Sequence, residues 1–241
     1  MTDVIEFIGG NSEIGLLARN GTNGPEKELV DSFVAYIPQC FRWQKGAVAI
    51  FHEPRMESGF PDLVIVQYVP EVFNNWVNAR NALQPIDLKV LHYLSNVRGA
   101  DASTLIANLG IGPKALLISI ERLLDAGLIS RSKTKWKPKS LSRIFGLRSI
   151  IAVEAKIKNW TDAFHQSQLD MWFASESYIL SPIEKPSQSI VSRSREMGVG
   201  IFLLNSKHMR RIQGARKSNI PSSYGSWMFN EWIGRYLYQK R

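Results

Sequence analysis

Cysteine is almost missing: Cys40 is the single one in 241 residues. That excludes an internal disulfide and any zinc site built on clustered cysteines, and it fits a reducing compartment. Long apolar runs are missing as well. No stretch of about 18 apolar residues occurs, so neither a membrane span nor a membrane partner is expected. The N-terminus shows no basic segment followed by an apolar one, so no secretory signal is expected and the expected location is cytoplasmic. Acids are the minority charge. Asp and Glu total 21 against 30 Lys and Arg, a net charge of +9. Such an excess favours a polyanionic partner, although a generic basic surface produces the same count. What the chain does have is 44% hydrophobic residues, enough core for one large domain or two small ones.

The stretch with the most chemistry is Ile150-Ile151-Ala152-Val153-Glu154-Ala155-Lys156. Its first four residues are apolar on both alternations, the pattern of a strand buried on both faces. Period two then puts Glu154 and Lys156 on one side and Ala155 on the other. Charges at a buried strand end are costly unless something uses them. Upstream, Gly59-Phe60-Pro61-Asp62 is a turn ending in an acid, and the apolar strand Leu63 to Val69 follows. An acid opening one strand and Glu-x-Lys closing another form a donor set for a divalent metal and phosphodiester hydrolysis. A buried ion pair of Lys156 with Asp62 or Glu154 is the plainer account.

Two helices flank these strands. One runs from about Glu26 to Ile37, with Leu29, Val30, Phe33 and Ile37 on one face. Glu26 falls on that inward face; a helix N-terminus also favours acids for its own reasons. The other spans 161–175 and carries Gln166 on a face with Ala163, Leu169, Asp170 and Phe173. Trp43 to His52 is expected as a strand, followed by a loop holding Glu53 and Glu57, either an outer acid of the site or a solvated charge. Residues 183–192 are expected as a Ser- and Pro-containing loop, Met197 to Leu204 as the last buried strand, and Tyr224 to Tyr238 as a packed terminal helix.

Pro61-Asp62 and Glu154-Ala155-Lys156, with Gln166 ten residues after Lys156 and an acidic amphipathic helix ahead of the first strand, resemble the PD-(D/E)XK nuclease superfamily. The resemblance implies an α/β, restriction-endonuclease-like fold, a mixed β-sheet core flanked by helices. It implies Mg²⁺ (or Mn²⁺) held by Asp62, Glu154 and the backbone carbonyl of Ala155, with Glu26 completing the site or recruiting a second ion. Lys156 would orient the attacking water, stabilise the charged transition state or, if its pKa is lowered, act as a base. Gln166 would face the active site and hydrogen-bond water or backbone.

Residues 86–148 interrupt that pattern with one of their own. Ile86, Val90, Leu91 and Leu94 recur at helical spacing; a second helix follows Asp101 or Ser103; a third runs from Pro113 to about Asp125. Leu123, Leu124, Gly127, Leu128 and Ile129 then lead into a strand, and the order resembles a winged-helix DNA-binding domain. The expected organisation is a nuclease core over 1–84 and 149–241 with an inserted winged-helix domain over 85–148. Arg131, Lys133, Lys135, Lys137, Lys139, Arg143 and Arg148 are seven cations with no acid between them. They are expected to meet phosphates, with Trp136 stacking or wedging at a groove and Lys114 entering the major groove on the third helix. Winged helices also dock proteins through that helix. No acid occurs from Met197 to Asn230, where Lys207, Arg210, Arg211, Arg216 and Lys217 form a second phosphate-binding surface or a solvated loop. The expected function is a metal-dependent DNA endonuclease; the alternative is a non-catalytic DNA-binding regulator or assembly factor. RNA as substrate stays open. Nucleases that cut both strands are often dimers, so a homodimer is among the expected partners.

Overall fold

The structure is a computed structural model that describes residues 3–19, 21, 23–41, 46–205 and 208–241. In chain order its elements begin with β1 (Val4–Phe7), α1 (Pro25–Val34), α2 (Ile37–Cys40), β2 (Ala47–His52) and β3 (Leu63–Tyr68). Next come α3 (Pro85–Val97), α4 (Ala102–Leu109), α5 (Pro113–Asp125), β4 (Ile129–Ser132), β5 (Lys135–Pro138) and α6 (Leu141–Ile144). The chain ends with β6 (Leu147–Ala155), α7 (Trp160–Asp170), β7 (Glu176–Ser181), α8 (Gln188–Met197), β8 (Gly200–Leu204), β9 (Met209–Gln213) and α9 (Tyr224–Gln239). The chain divides into two compact units, 1–68 with 147–222, and 69–146 with 223–241. No single described helix is long and apolar enough to cross a membrane.

The first unit is a mixed seven-stranded sheet in the order β1-β2-β3-β6-β7-β8-β9. Pairings β1–β2, β6–β7 and β7–β8 are parallel, the others antiparallel. The apolar runs lie in its middle because strands covered on both faces need apolar residues at every position. Leu29, Val30 and Phe33 of α1 cover one face, over Ile50, Ile65, Ile151, Val153 and Tyr178. Ala163 and Phe164 of α7 cover the other, with Ile179, Val199 and the flanking Ile190 and Met197 of α8.

Several local expectations change. The expected loop over 183–192 runs into α8. Ser187 caps it by accepting from the Ile190 N–H at 3.4 Å, and Gly198 at φ 75° ends it. Its apolar residues are too few to announce a helix. Met197 therefore closes α8 and the last buried strand opens at Gly200. That strand begins on glycine because the Tyr178 ring occupies the space a Cβ would take. Arg210 and Arg211 lie on an edge strand, β9, paired antiparallel with β8, rather than in a loop. Trp43 and Lys207 lie outside the described residues, and the strand expected from Trp43 is described from Ala47.

The second unit is helical with a two-stranded hairpin. Pro85 and Pro113 open α3 and α5, where a missing N–H costs nothing. Asp101 caps α4, accepting from the Thr104 N–H at 2.9 Å. Leu88, Leu91, Leu94, Leu105, Leu116, Ile120, Leu123 and Leu128 are buried. The unit extends beyond the 85–148 segment. Residues 70–83, within the segment expected as nuclease core, form 3₁₀ turns at Pro70–Asn75 and Asn78–Ala82. The aromatic tail forms α9, as expected, and buries Trp227, Phe229 and Trp232.

A buried ion pair joins turn and tail. Arg80 donates through Nε and Nη2 to Glu231 Oε2 and Oε1 at 2.8 and 2.7 Å, and the residues are only 6% and 1% exposed. Removing one partner strands the other charge away from water. Glu231→Ala is therefore expected to destabilise this unit by about 3–5 kcal/mol, and Arg80→Met with Glu231→Leu together to cost far less. Urea unfolding followed by tryptophan fluorescence checks both.

Candidate active site

The register of β3 against β6 builds the site. Their last pair is Leu63 with Val153, so Asp62 and Glu154 are the next residues at the adjoining strand ends. The Ala155 N–H donates to Asp62 Oδ2 at 2.8 Å and holds that carboxylate at the strand end. Ala155 itself faces α1 with Val153, and Glu154 therefore points to the α7 side. There it shares a hydrogen bond with Asp170.

The two flanking helices supply the rest. Lys156 Nζ lies 3.6 Å from Glu26 Oε2 on α1 and 3.5 Å from Asp162 Oδ2 on α7. Its own backbone N–H donates to Leu180 O at 2.9 Å, anchoring the residue beyond the strand. Glu26 is thus at the site, with a side chain 45% exposed. Gln166 is half-buried on α7, and its Oε1 is buried with no hydrogen-bond partner. Leu169, expected on that face, is exposed instead.

Crowding the acids raises their proton affinity. Burial pushes the Asp62 carboxyl up to about 6, helped by Glu26 and Glu53 and opposed by the Ala155 N–H and Lys156. Burial pushes Asp170 up to about 7. Glu154 is held well above the usual carboxylate range by burial, then by the charges of Asp170 and Asp62. Burial alone would lower the Lys156 pKa, but Glu26, Asp62, Asp162 and Glu154 outweigh it and raise it. The ammonium form is favoured, which suits charge stabilisation better than proton abstraction.

On the α1 side a cavity of about 580 Å³ opens onto Asp62 and Glu26. Glu6, Glu53, His52, Arg19 and Lys27 also line it. Glu53 holds a left-handed backbone at φ 45°, an uncommon conformation outside glycine. Its N–H donates to Asp62 O at 3.2 Å, its carboxylate pairs with Arg19, and Gly21 leaves room for it where a Cβ would collide. Of the two loop acids, Glu53 faces the cavity with Asp62.

Asp170 and Asp162 join the site without a motif to announce them. The one sequence signal for Asp170 is its position four residues after Gln166 on one helix. Asp162 resembles any acid in a first helical turn. Neither residue type nor spacing marks them further.

The cations assigned to nucleic acid fall in three places. Arg131, Lys133, Lys135, Lys137 and Lys139 are exposed on and around the β4–β5 hairpin, and Trp136 is half-buried with its backbone bridged to Ala100. Arg210 and Arg211 are exposed on β9, where cations also keep an edge strand from pairing with another chain. Lys114 is exposed at the start of α5, but the residues beside it on that face are Leu117, Ile118 and Glu121.

For a divalent ion, the donors present are hard oxygens, and Asp170 Oδ2 and Gln166 Oε1 are buried acceptors without partners. Among the described residues no three His, Cys, Asp or Glu side chains group as a metal site. Two carboxylates and a carbonyl form a smaller set that suits Mg²⁺, which keeps several waters. No protein-family model, curated protein or solved structure matches the chain.

The raised acids set a pH dependence. Folded Asp62 and Asp170 titrate near 6 and 7 against an ordinary 3.8. The folded chain therefore holds protons that the unfolded chain releases, and the stability from these groups, full below the ordinary value, is lost as pH rises through 6 to 7. Unfolding free energy in chelator-containing buffer is expected to fall between about pH 5 and about pH 8. Asp170→Asn should flatten that fall, by on the order of 1.4 kcal/mol per unit of displacement. Urea titrations at both pH values read it.

Proposed function

We propose that the protein is a metal-dependent DNA endonuclease with the restriction-endonuclease-like fold of the PD-(D/E)XK superfamily, its second unit a winged helix that engages duplex DNA. The observation that carries this reading is the hydrogen bond that joins Asp62 to Ala155 at the adjacent ends of β3 and β6, with Glu154 and Lys156 on either side of Ala155 and close enough for their charges to act on the same acids. The sheet order and the helices on its two faces are compatible with that fold.

Asp62, Glu154 and the Ala155 carbonyl would hold Mg²⁺ or Mn²⁺, with Glu26 beside them. Such an ion supplies Lewis-acid stabilisation of charge on the phosphoryl oxygens. In hydrolysis a water oxygen attacks phosphorus, the bond to the leaving sugar oxygen breaks, and that oxygen takes up a proton. Lys156, held between Glu26 and Asp162, offers positive charge where the phosphorane becomes more negative. Gln166 Oε1, a buried acceptor without a partner, orients water by accepting its hydrogen bond. The hairpin cations grip the backbone without reading sequence.

Cleavage of duplex, single-stranded, branched DNA and RNA with Mg²⁺ or Mn²⁺ tests the reading. Asp62→Ala, Glu154→Ala and Lys156→Ala are each expected to slow cleavage at least about 100-fold while DNA binding persists, the scale of losing one charge-stabilising group. Equal rates for wild type and Lys156→Ala would sink the mechanism. Binding without cleavage under either metal would make the chain a DNA-binding regulator or assembly factor.

The hairpin has its own test. Replacing Arg131, Lys133, Lys135 and Lys137 with alanine should weaken duplex binding irrespective of sequence. It should also reduce the slope of log affinity against log salt by about 0.9 for each phosphate no longer neutralised. Fluorescence anisotropy across a salt series measures both.

A further inference from the structure

The α5 helix buries Leu116, Ser119, Ile120 and Leu123 on one side. Its other side exposes Lys114, Leu117, Ile118, Glu121, Leu124 and Asp125. Leu117 is 59% exposed, Leu124 40% and Ile118 39%. The spacing is that of a seam between two helices, alternating three and four residues. Three large aliphatic side chains on one stripe form a patch, which isolated surface apolar residues do not. Glu121 and Asp125 on that stripe would repel a phosphate backbone, so nucleic acid is a poor occupant.

The charges identify a better one. Lys114 stands in the first turn of α5 and Asp125 at its last residue. Both oppose the helix dipole, which favours acids at the start and cations at the end. Their order therefore does not serve the stability of α5 itself. Read in reverse, however, it brings the cation of one copy against the acidic half of α5 in the other. A two-fold axis between Leu117 and Ile118 sets Lys114 against Glu121 of a second copy and Leu117 against its Ile118. That is a self-complementary, isologous contact.

We propose that α5 is a self-association surface, pairing antiparallel with α5 of a second copy of this chain through Leu117 and Ile118, with reciprocal Lys114–Glu121 contacts. This inference is independent of the nuclease reading. One helix pair of this length is a small interface, so the dimer is concentration-dependent. The side chains are exposed in the single chain, so replacing them leaves the fold intact, which far-UV circular dichroism melts verify.

Sedimentation equilibrium of the full chain over a concentration series tests it. Wild type is expected to show a monomer–dimer equilibrium. Leu117→Glu should abolish it. Lys114→Glu and Glu121→Lys singly should each weaken the dimer several-fold by facing like charges. The double variant Lys114→Glu/Glu121→Lys should restore wild-type association, because the swap regenerates both pairs. A monomer at every concentration, a dimer indifferent to these changes, or singles without rescue in the double would each overturn the proposal. So would a Lys114→Glu effect confined to DNA affinity.

Discussion

Everything at the candidate site depends on the antiparallel register between β3 and β6. That register is set by apolar side chains on both faces of both strands, Leu63 to Val66 against Ile150 to Val153. A slip by one residue would turn each of these toward the opposite helix layer. Because the pairing cannot slip, Asp62 and the Glu154–Lys156 segment end up at adjoining strand ends, and the Ala155 N–H clamps Asp62. Burial then sets the charge state. It raises the proton affinity of Asp62, Asp170 and Glu154, which makes the cleft a candidate site on physical grounds.

The flanking helices finish what the strands begin. α1 brings Glu26 and α7 brings Asp162 to either side of Lys156. Desolvation that would favour neutral lysine is overcome by four surrounding acids. A cation so held is suited to meeting negative charge, and this is the part of the proposed chemistry most directly tied to observed distances. The helical unit follows the same rule for buried charge: Arg80 and Glu231 are both enclosed, and each satisfies the other. Its cations stay in water on the β4–β5 hairpin, with the run of five exposed.

Much of this was legible in the chain. Continuous apolar runs bounded by turns marked β3 and β6, apolar residues at helical spacing marked α1 and α3, and Pro113 marked the start of α5. The acid before one strand and Glu-x-Lys at the end of another pointed to Asp62, Glu154 and Lys156. Polar segments were less informative. α8 has a weak apolar stripe, and β9 carries two consecutive arginines that suit a loop equally well. Both are held by what they pack on, which no local pattern records.

The sequence by itself determined which residues must be buried, which strands are central, and that a carboxylate and a lysine close one of them. Hydrophobic periodicity is a local property and survives without partners. Tertiary structure alone decided that Asp170 would share a hydrogen bond with Glu154, that Glu53 would face the same cavity as Asp62, and that α5 would leave an apolar stripe uncovered. These are relations between elements far apart in the chain, created by the register of the sheet and the packing of helices on it.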